Sequence, residues 1–154
     1  MRSAFVENTE PSSEARVSGT FRLGVGETRM LDEHRGLRSM VAELRSACDA
    51  GAWSGGRMHE RARRLAAMAA EHFAHEEDGG YMADVIASCP WMARAADRLL
   101  REHAFMREEL MVMCEAPHTL TRARLMALLD LLSRHEREEN AMVQELWLQD
   151  MGGS

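Results

Sequence analysis

An all-α fold, an antiparallel up-and-down four-helix bundle behind an N-terminal arm, is what the sequence predicts, on three observations. Apolar residues recur at steps of three and four along four separate segments, which is the period of a helix face. The breaks between those segments are short, and they hold glycine and proline, which turns each helix back on its neighbour. Hydrophobic residues make up 45% of the chain while aromatics make up 5% and prolines number only 3, a balance that suits helices packed through Leu, Met and Ala. At 154 residues the chain is one domain, long enough to bury a core.

Residues 1–27 are polar and punctuated by Gly19, Gly24 and Gly26. They read as an arm with a short extended piece near residues 20–25, and the bundle follows over residues 28–150. Thr28 is placed to cap a first helix that runs to about Asp49 and stops before Gly51. Its inward stripe is His34, Leu37, Val41, Leu44 and Cys48. Residues 53–56 read as a loop. A second helix begins near Arg57 and carries Leu65, Met68, Ala69, His72 and Glu76 on one face; Gly79 and Gly80 weaken it, and the pattern resumes over residues 81–87. Ser88 and Pro90 mark the third start, since proline is tolerated in a first turn. This helix turns Leu99, His103, Met106, Leu110 and Met113 inward. Pro117 ends the next connection, and Thr119 is placed to cap a fourth helix that buries Leu125, Leu128, Leu132, His135, Glu139, Met142 and Leu146.

Polar residues interrupt every stripe at matching depth: His34, then His72 with Glu76, then His103, then His135 with Glu139. A carboxylate buried without a partner costs on the order of several kcal/mol, so it usually neutralises or binds a cation. Residues four apart share a helix face, with about 5–6 Å between Cβ atoms. His72 with Glu76, and His135 with Glu139, can therefore reach one cation or two adjacent ones. At about 100° per residue both glutamates fall near the centre of their stripes, while Glu77 and Glu138 fall well off it, among solvated residues. Imidazole and carboxylate without thiolate suit iron, manganese or zinc, and two inward carboxylates favour a dinuclear centre. The Glu-x-x-His tetrad of ferritin-like proteins and the His-Glu-x-x-His signature of metalloproteases are both missing.

The segment His72-Phe73-Ala74-His75-Glu76-Glu77 resembles the His-Phe-x-x-Glu-Glu signature of hemerythrin-like (HHE cation-binding) domains. Glu33-His34, Glu102-His103 and His135-x-x-x-Glu139 extend the resemblance over residues 28–148. It implies a four-helix bundle around two non-haem iron ions (Fe2+/Fe3+) joined by an oxo or hydroxo bridge. Glu76 and Glu139 would bridge the irons, with His34 and His72 on one and His103 and His135 on the other. Two positions depart from the oxygen-carrying hemerythrins. Arg107 stands where their third helix has a second His, and Asn140 stands where their fourth helix has its carboxylate. The departures leave one iron short of an imidazole, which points away from reversible oxygen carriage and towards an open, reactive position.

The function expected on that basis is binding or sensing of a small oxidant (O2, NO or peroxide) at an open iron position. A catalase-like peroxide-decomposing enzyme and a non-catalytic iron-handling or regulatory module are the alternatives, so enzymatic activity is left open, as is a protein partner. For an enzyme, His75 at the stripe edge is the obvious acid or base on offer. Arg107 reads as a surface salt bridge, Tyr81 and the 13 methionines as packing, and His59 and His118 as exposed.

The formal net charge of −6 does not suit a nucleic-acid surface, and the Arg57, Arg61, Arg63 and Arg64 cluster reads as a solvated helix face. All 19 Lys-plus-Arg positions are Arg, which with the Ala and Gly content suggests a bacterial, GC-rich origin. Cys48, Cys89 and Cys114 are too widely spaced for a zinc knuckle and odd in number, so they read as reduced thiols. No run approaches the roughly 18 apolar residues of a membrane span, and no signal-peptide core opens the chain. The expected location is the cytoplasm, without a membrane partner.

Overall fold

A computed structural model describes residues 25–51, 53, 55–78, 82, 86–87 and 89–152. Every regular element among them is helical: α1 (Val25–Asp49), α2 (Gly55–Glu77), α3 (Ala93–Glu115) and α4 (Arg122–Gly152), with 3-10 turns at Pro90–Met92 and Pro117–Thr119. α1 packs on α2 and α4, and α3 packs on the same two helices. This closed ring of neighbours is compatible with a four-helix bundle. Among the described residues no helix is long and apolar enough to cross a membrane. Gly79, Gly80, Tyr81, Ser88, most of the arm and the side chains of Thr28 and Leu146 lie outside the described residues.

The helix ends show how local chemistry sets the boundaries. α1 starts at Val25, ahead of Thr28, with an Arg29–Glu33 pair at 2.9 Å one turn further on. Gly26 costs a helix interior about 1 kcal/mol, a penalty that a terminal turn tolerates. α1 stops as expected, because Gly51 takes a φ of 66° that side chains with a Cβ resist. Gly55 and Gly56 belong to α2 and not to the preceding loop, since buried Met58 anchors the first turn. Pro90 opens its 3-10 turn, as its missing N–H permits. The cap of α4 is Thr121 and not Thr119: Thr121 Oγ1 accepts the Arg124 N–H at 3.2 Å, whereas Thr119 Oγ1 donates back to Ala116 O at 2.7 Å.

Two apolar clusters fill the interior. The larger runs through Leu37–Cys48 of α1, Met58–Phe73 of α2, Met106–Met113 of α3 and Leu120–Leu132 around α4. The smaller gathers Met82, Cys89, Met92, Ala96, Leu99 and Met142. His103 lies between the clusters on α3, and His135 and Glu139 lie between them on α4. On α1 and α3 the larger cluster follows the polar residues in sequence; on α4 it precedes them, and on α2 it precedes them but for Phe73, which lies between His72 and Glu76. The polar layer is therefore sealed by hydrocarbon, which lowers its dielectric and strengthens every charge interaction within it.

Candidate metal centre

All six inward polar residues are buried, and they meet in two groups that share one side chain. His34, His72, Glu76 and Glu139 bring ligand atoms within 4.8 Å of one another, and Glu76, His103 and His135 do the same. In the first group His34 Nε2 stands 3.1 Å from His72 Nε2 and 3.2 Å from Glu139 Oε2. His72 Nε2 lies 2.9 Å from Glu76 Oε1 one turn along α2. In the second, His103 Nε2 stands 2.9 Å from His135 Nε2 and 3.3 Å from Glu76 Oε2. Glu76 thus offers one oxygen to each group.

α4 does not mirror α2. His135 faces His103 of α3, whereas Glu139 turns to His34 of α1. Four residues advance a helix by about 6 Å, enough for the two ends of the pair to meet different neighbours. Of the two glutamates expected to join the halves, Glu76 belongs to both groups and Glu139 to the first.

Three imidazoles are held from behind by carboxylates on the neighbouring helix. His72 Nδ1 lies 3.3 Å from Glu33 Oε2, His103 Nδ1 lies 2.9 Å from Glu77 Oε1, and His135 Nδ1 lies 3.0 Å from Glu102 Oε2. An arginine steadies each carboxylate: Arg29 on Glu33 at 2.9 Å, Arg107 on Glu77 at 2.9 Å and Arg134 on Glu102 at 3.1 Å. An Nδ1–H given to a carboxylate leaves the Nε2 lone pair facing inward, the tautomer a cation needs. Glu77 is exposed yet engages His103, and half-buried Glu138 pairs with Arg98 at 2.6 Å. Phe73 stacks on His103 at 4.1 Å between ring centroids, and Arg107 stands 5.4 Å from the same Phe73 ring. Arg107 makes the expected salt bridge, and that bridge supports His103.

Burial alone would raise the Glu76 carboxyl, yet His103, His34 and His72 hold it below the ordinary carboxylate range. Burial pushes Glu139 up to about 7, with His34 opposing and the charge of Glu76 adding to the rise. Burial disfavours a charged His34, but Glu139 and Glu76 outweigh it and raise the group to about 10. His135 is lowered by burial, with the Glu102 contact opposing. Without a cation, the two halves are electrostatically unlike.

The residues fit a metal. Both Glu76 oxygens are buried, and three imidazoles crowd around them at 2.9–3.5 Å, none of them aligned as a hydrogen-bond partner among the described residues. Two ligand atoms about 2.1 Å from one cation at a right angle stand about 3 Å apart, close to the Nε2–Nε2 separations of 3.1 and 2.9 Å.

His75 Nδ1 sits 2.8 Å from Glu33 Oε1, outside both inner groups. His118 is exposed, while His59 is half-buried. Arg57, Arg63 and Arg64 are exposed, and Arg61 pairs with Glu43 at 2.8 Å. Cys48, Cys89 and Cys114 are free thiols.

Glu136 was not among the inward residues expected from the stripe, yet it is 4% exposed. It follows buried Leu129 and Leu132 by seven and four residues, a helical spacing that could have found it. Comparisons with protein-family models, curated proteins and solved structures return no match. The site is a buried, imidazole- and carboxylate-lined layer whose groups could hold a metal ion.

Proposed function

We propose that the chain is a hemerythrin-like di-iron protein, built as an antiparallel bundle, that binds or senses a small oxidant. The observation that carries this reading is Glu76, a buried carboxylate shared between two donor groups. The alternating order of cluster and polar layer along successive helices supports the antiparallel run. His34, His72, Glu76 and Glu139 would hold one iron, and Glu76, His103 and His135 the other. Bound there, the iron pair supplies one-electron chemistry and open coordination positions. The protein's own contribution is to aim four inner nitrogens, hold two carboxylates in a dry layer and exclude bulk water through the apolar clusters on either side. The three-residue set of the second group supports an opening there for a small ligand. Sensing is favoured over peroxide turnover because His75, the side chain best suited to move protons near the centre, is engaged with Glu33 outside both groups.

Anaerobic loading with ferrous iron, desalting and elemental analysis test the reading. Two irons per chain are expected, followed by a stoichiometric absorption change on adding oxygen, nitric oxide or peroxide in turn. Repeated peroxide turnover would move the assignment to a catalase-like enzyme. Well under one metal per chain, with helical circular dichroism intact, would overturn the metal reading.

A further inference from the structure

The three orienting carboxylates follow a rule, and the rule has one vacancy and one unused part. Glu33 precedes the inward His34 and serves His72 on α2. Glu77 follows the inward Glu76 and serves His103 on α3. Glu102 precedes the inward His103 and serves His135 on α4. Each carboxylate sits one residue from an inward position, so about 100° of helix rotation carries it to the seam with the next helix in the ring. The side alternates, before then after then before, as it must when neighbouring helices run in opposite directions. The next step, from α4 to α1, calls for a carboxylate that follows an inward residue on α4 and serves His34. The two candidates are Glu136 after His135 and Asn140 after Glu139, and only the first is an acid; the Asn140 amide donates to Glu136 O at 2.7 Å.

The atoms left over agree. Among the described residues, His34 Nδ1 is buried with no hydrogen-bond partner, and so is Glu136 Oε1. The Nδ1 atoms of the other three inward imidazoles each have their carboxylate. Glu136 Oε2 stands 3.7 Å from Arg38 Nη1, a looser contact than the other three arginine–carboxylate pairs. Burial pushes the Glu136 carboxyl up, and the strongest opposing influence is the charge of His34, ahead of Arg38 and His72.

We propose that Glu136 is a positioning residue, the fourth orienting carboxylate, which accepts the outer N–H of His34 and closes a ring of four carboxylate–imidazole pairs around the bundle. The pairing requires a rotation of the Glu136 side chain from its present rotamer, because the two atoms are not hydrogen-bonded to each other. It rests on the metal-centre reading only for its purpose, which is to fix the His34 tautomer with its inner lone pair free. Loss of such an outer partner typically weakens metal binding by about 10–100-fold.

Long-range 1H–15N spectra of the histidine rings test this on the full chain, with zinc as a diamagnetic probe. Wild type, Glu136→Ala, Glu136→Gln and the surface control Glu138→Gln are compared. In wild type the outer proton of His34 should resonate downfield with those of His72, His103 and His135. Glu136→Ala should move the His34 signals alone and weaken zinc binding by about tenfold. Glu136→Gln, whose amide oxygen still accepts, should restore much of the His34 signal, and Glu138→Gln should leave it in place. Identical His34 signals in wild type, Glu136→Ala and Glu136→Gln would overturn the proposal. So would weakened zinc binding with the His34 tautomer unchanged, which would make Glu136 a direct ligand. If wild type takes up no zinc, the metal centre fails by itself, and the His34 response in the metal-free protein still decides the pairing.

Discussion

Replacing Glu76 with Gln keeps the shape of the side chain and removes the one charge common to both donor groups. Group membership sets the expected pattern: Glu76 belongs to both groups, and His135 to the second alone. A cation at a hundredfold excess over its dissociation constant stabilises the native state by about 2.7 kcal/mol. In a chain of this size each kcal/mol raises the melting temperature by about 2–4 °C. One filled site is therefore worth about 5–11 °C, and two independent sites about twice that. If losing the shared carboxylate weakens each site about a hundredfold, the same metal concentration leaves only about 0.4 kcal/mol per site. Glu76→Gln should then show almost none of the ferrous-induced shift, while His135→Ala keeps roughly the half that belongs to His34, His72, Glu76 and Glu139. Anaerobic calorimetric melts with and without ferrous iron, beside elemental analysis of the same samples, read both quantities. Full retention of the wild-type shift by Glu76→Gln would refute the argument for a shared ligand. Equal losses in the Glu76 and His135 variants would show that the site does not divide into two halves.

Leu65 is fully buried in the larger cluster, so Leu65→Ala should cost about 2–5 kcal/mol, seen as a lower urea midpoint. Gly36→Ala sets a new Cβ 3.1 Å from Met68 Cε, the flexible end of a methionine; the gain in helix propensity should raise stability by up to about 1 kcal/mol. Gly51→Ala meets no steric contact but inherits a φ of 66°, and the same melts should show a loss of about 1–2 kcal/mol. Hydrogen bonds from Arg124 at 2.7 and 2.8 Å hold the Glu109 carboxyl below its ordinary range, against the smaller effect of burial. Because the folded value is depressed, the pair's contribution is complete above the unfolded carboxylate value of about 4.3 and fades as pH falls towards the folded one. Glu109→Gln should therefore narrow its stability gap to wild type as pH is lowered through that window, and a gap that stays constant with pH would show that the ion pair contributes nothing.

The four helices and the six inward polar residues were legible because each depends on one helix at a time. A repeat of three and four names the buried face whatever that face meets, which is why His34, His72, Glu76, His103, His135 and Glu139 all prove buried. What each of them meets depends on the axial register between helices, and no single stripe contains that. The spacing left open whether His135 and Glu139 reach one cation or two adjacent ones; in the structure His135 meets His103 of α3 and Glu139 meets His34 of α1. Glu77 is exposed, as its place off the stripe suggests, yet it also reaches His103 Nδ1 at 2.9 Å. A position 100° off the centre of a stripe looks solvated when its helix is taken alone, but in a bundle it is the seam with the next helix. Glu33, Glu77 and Glu102 all occupy such seams, and each finds an imidazole waiting there. The seam position has the stronger claim to a carboxylate than the open surface does, because an acid there meets both an imidazole N–H behind it and an arginine at the rim. An acid beside an inward polar residue is thus better read as the partner of the neighbouring helix's histidine than as part of a solvated face.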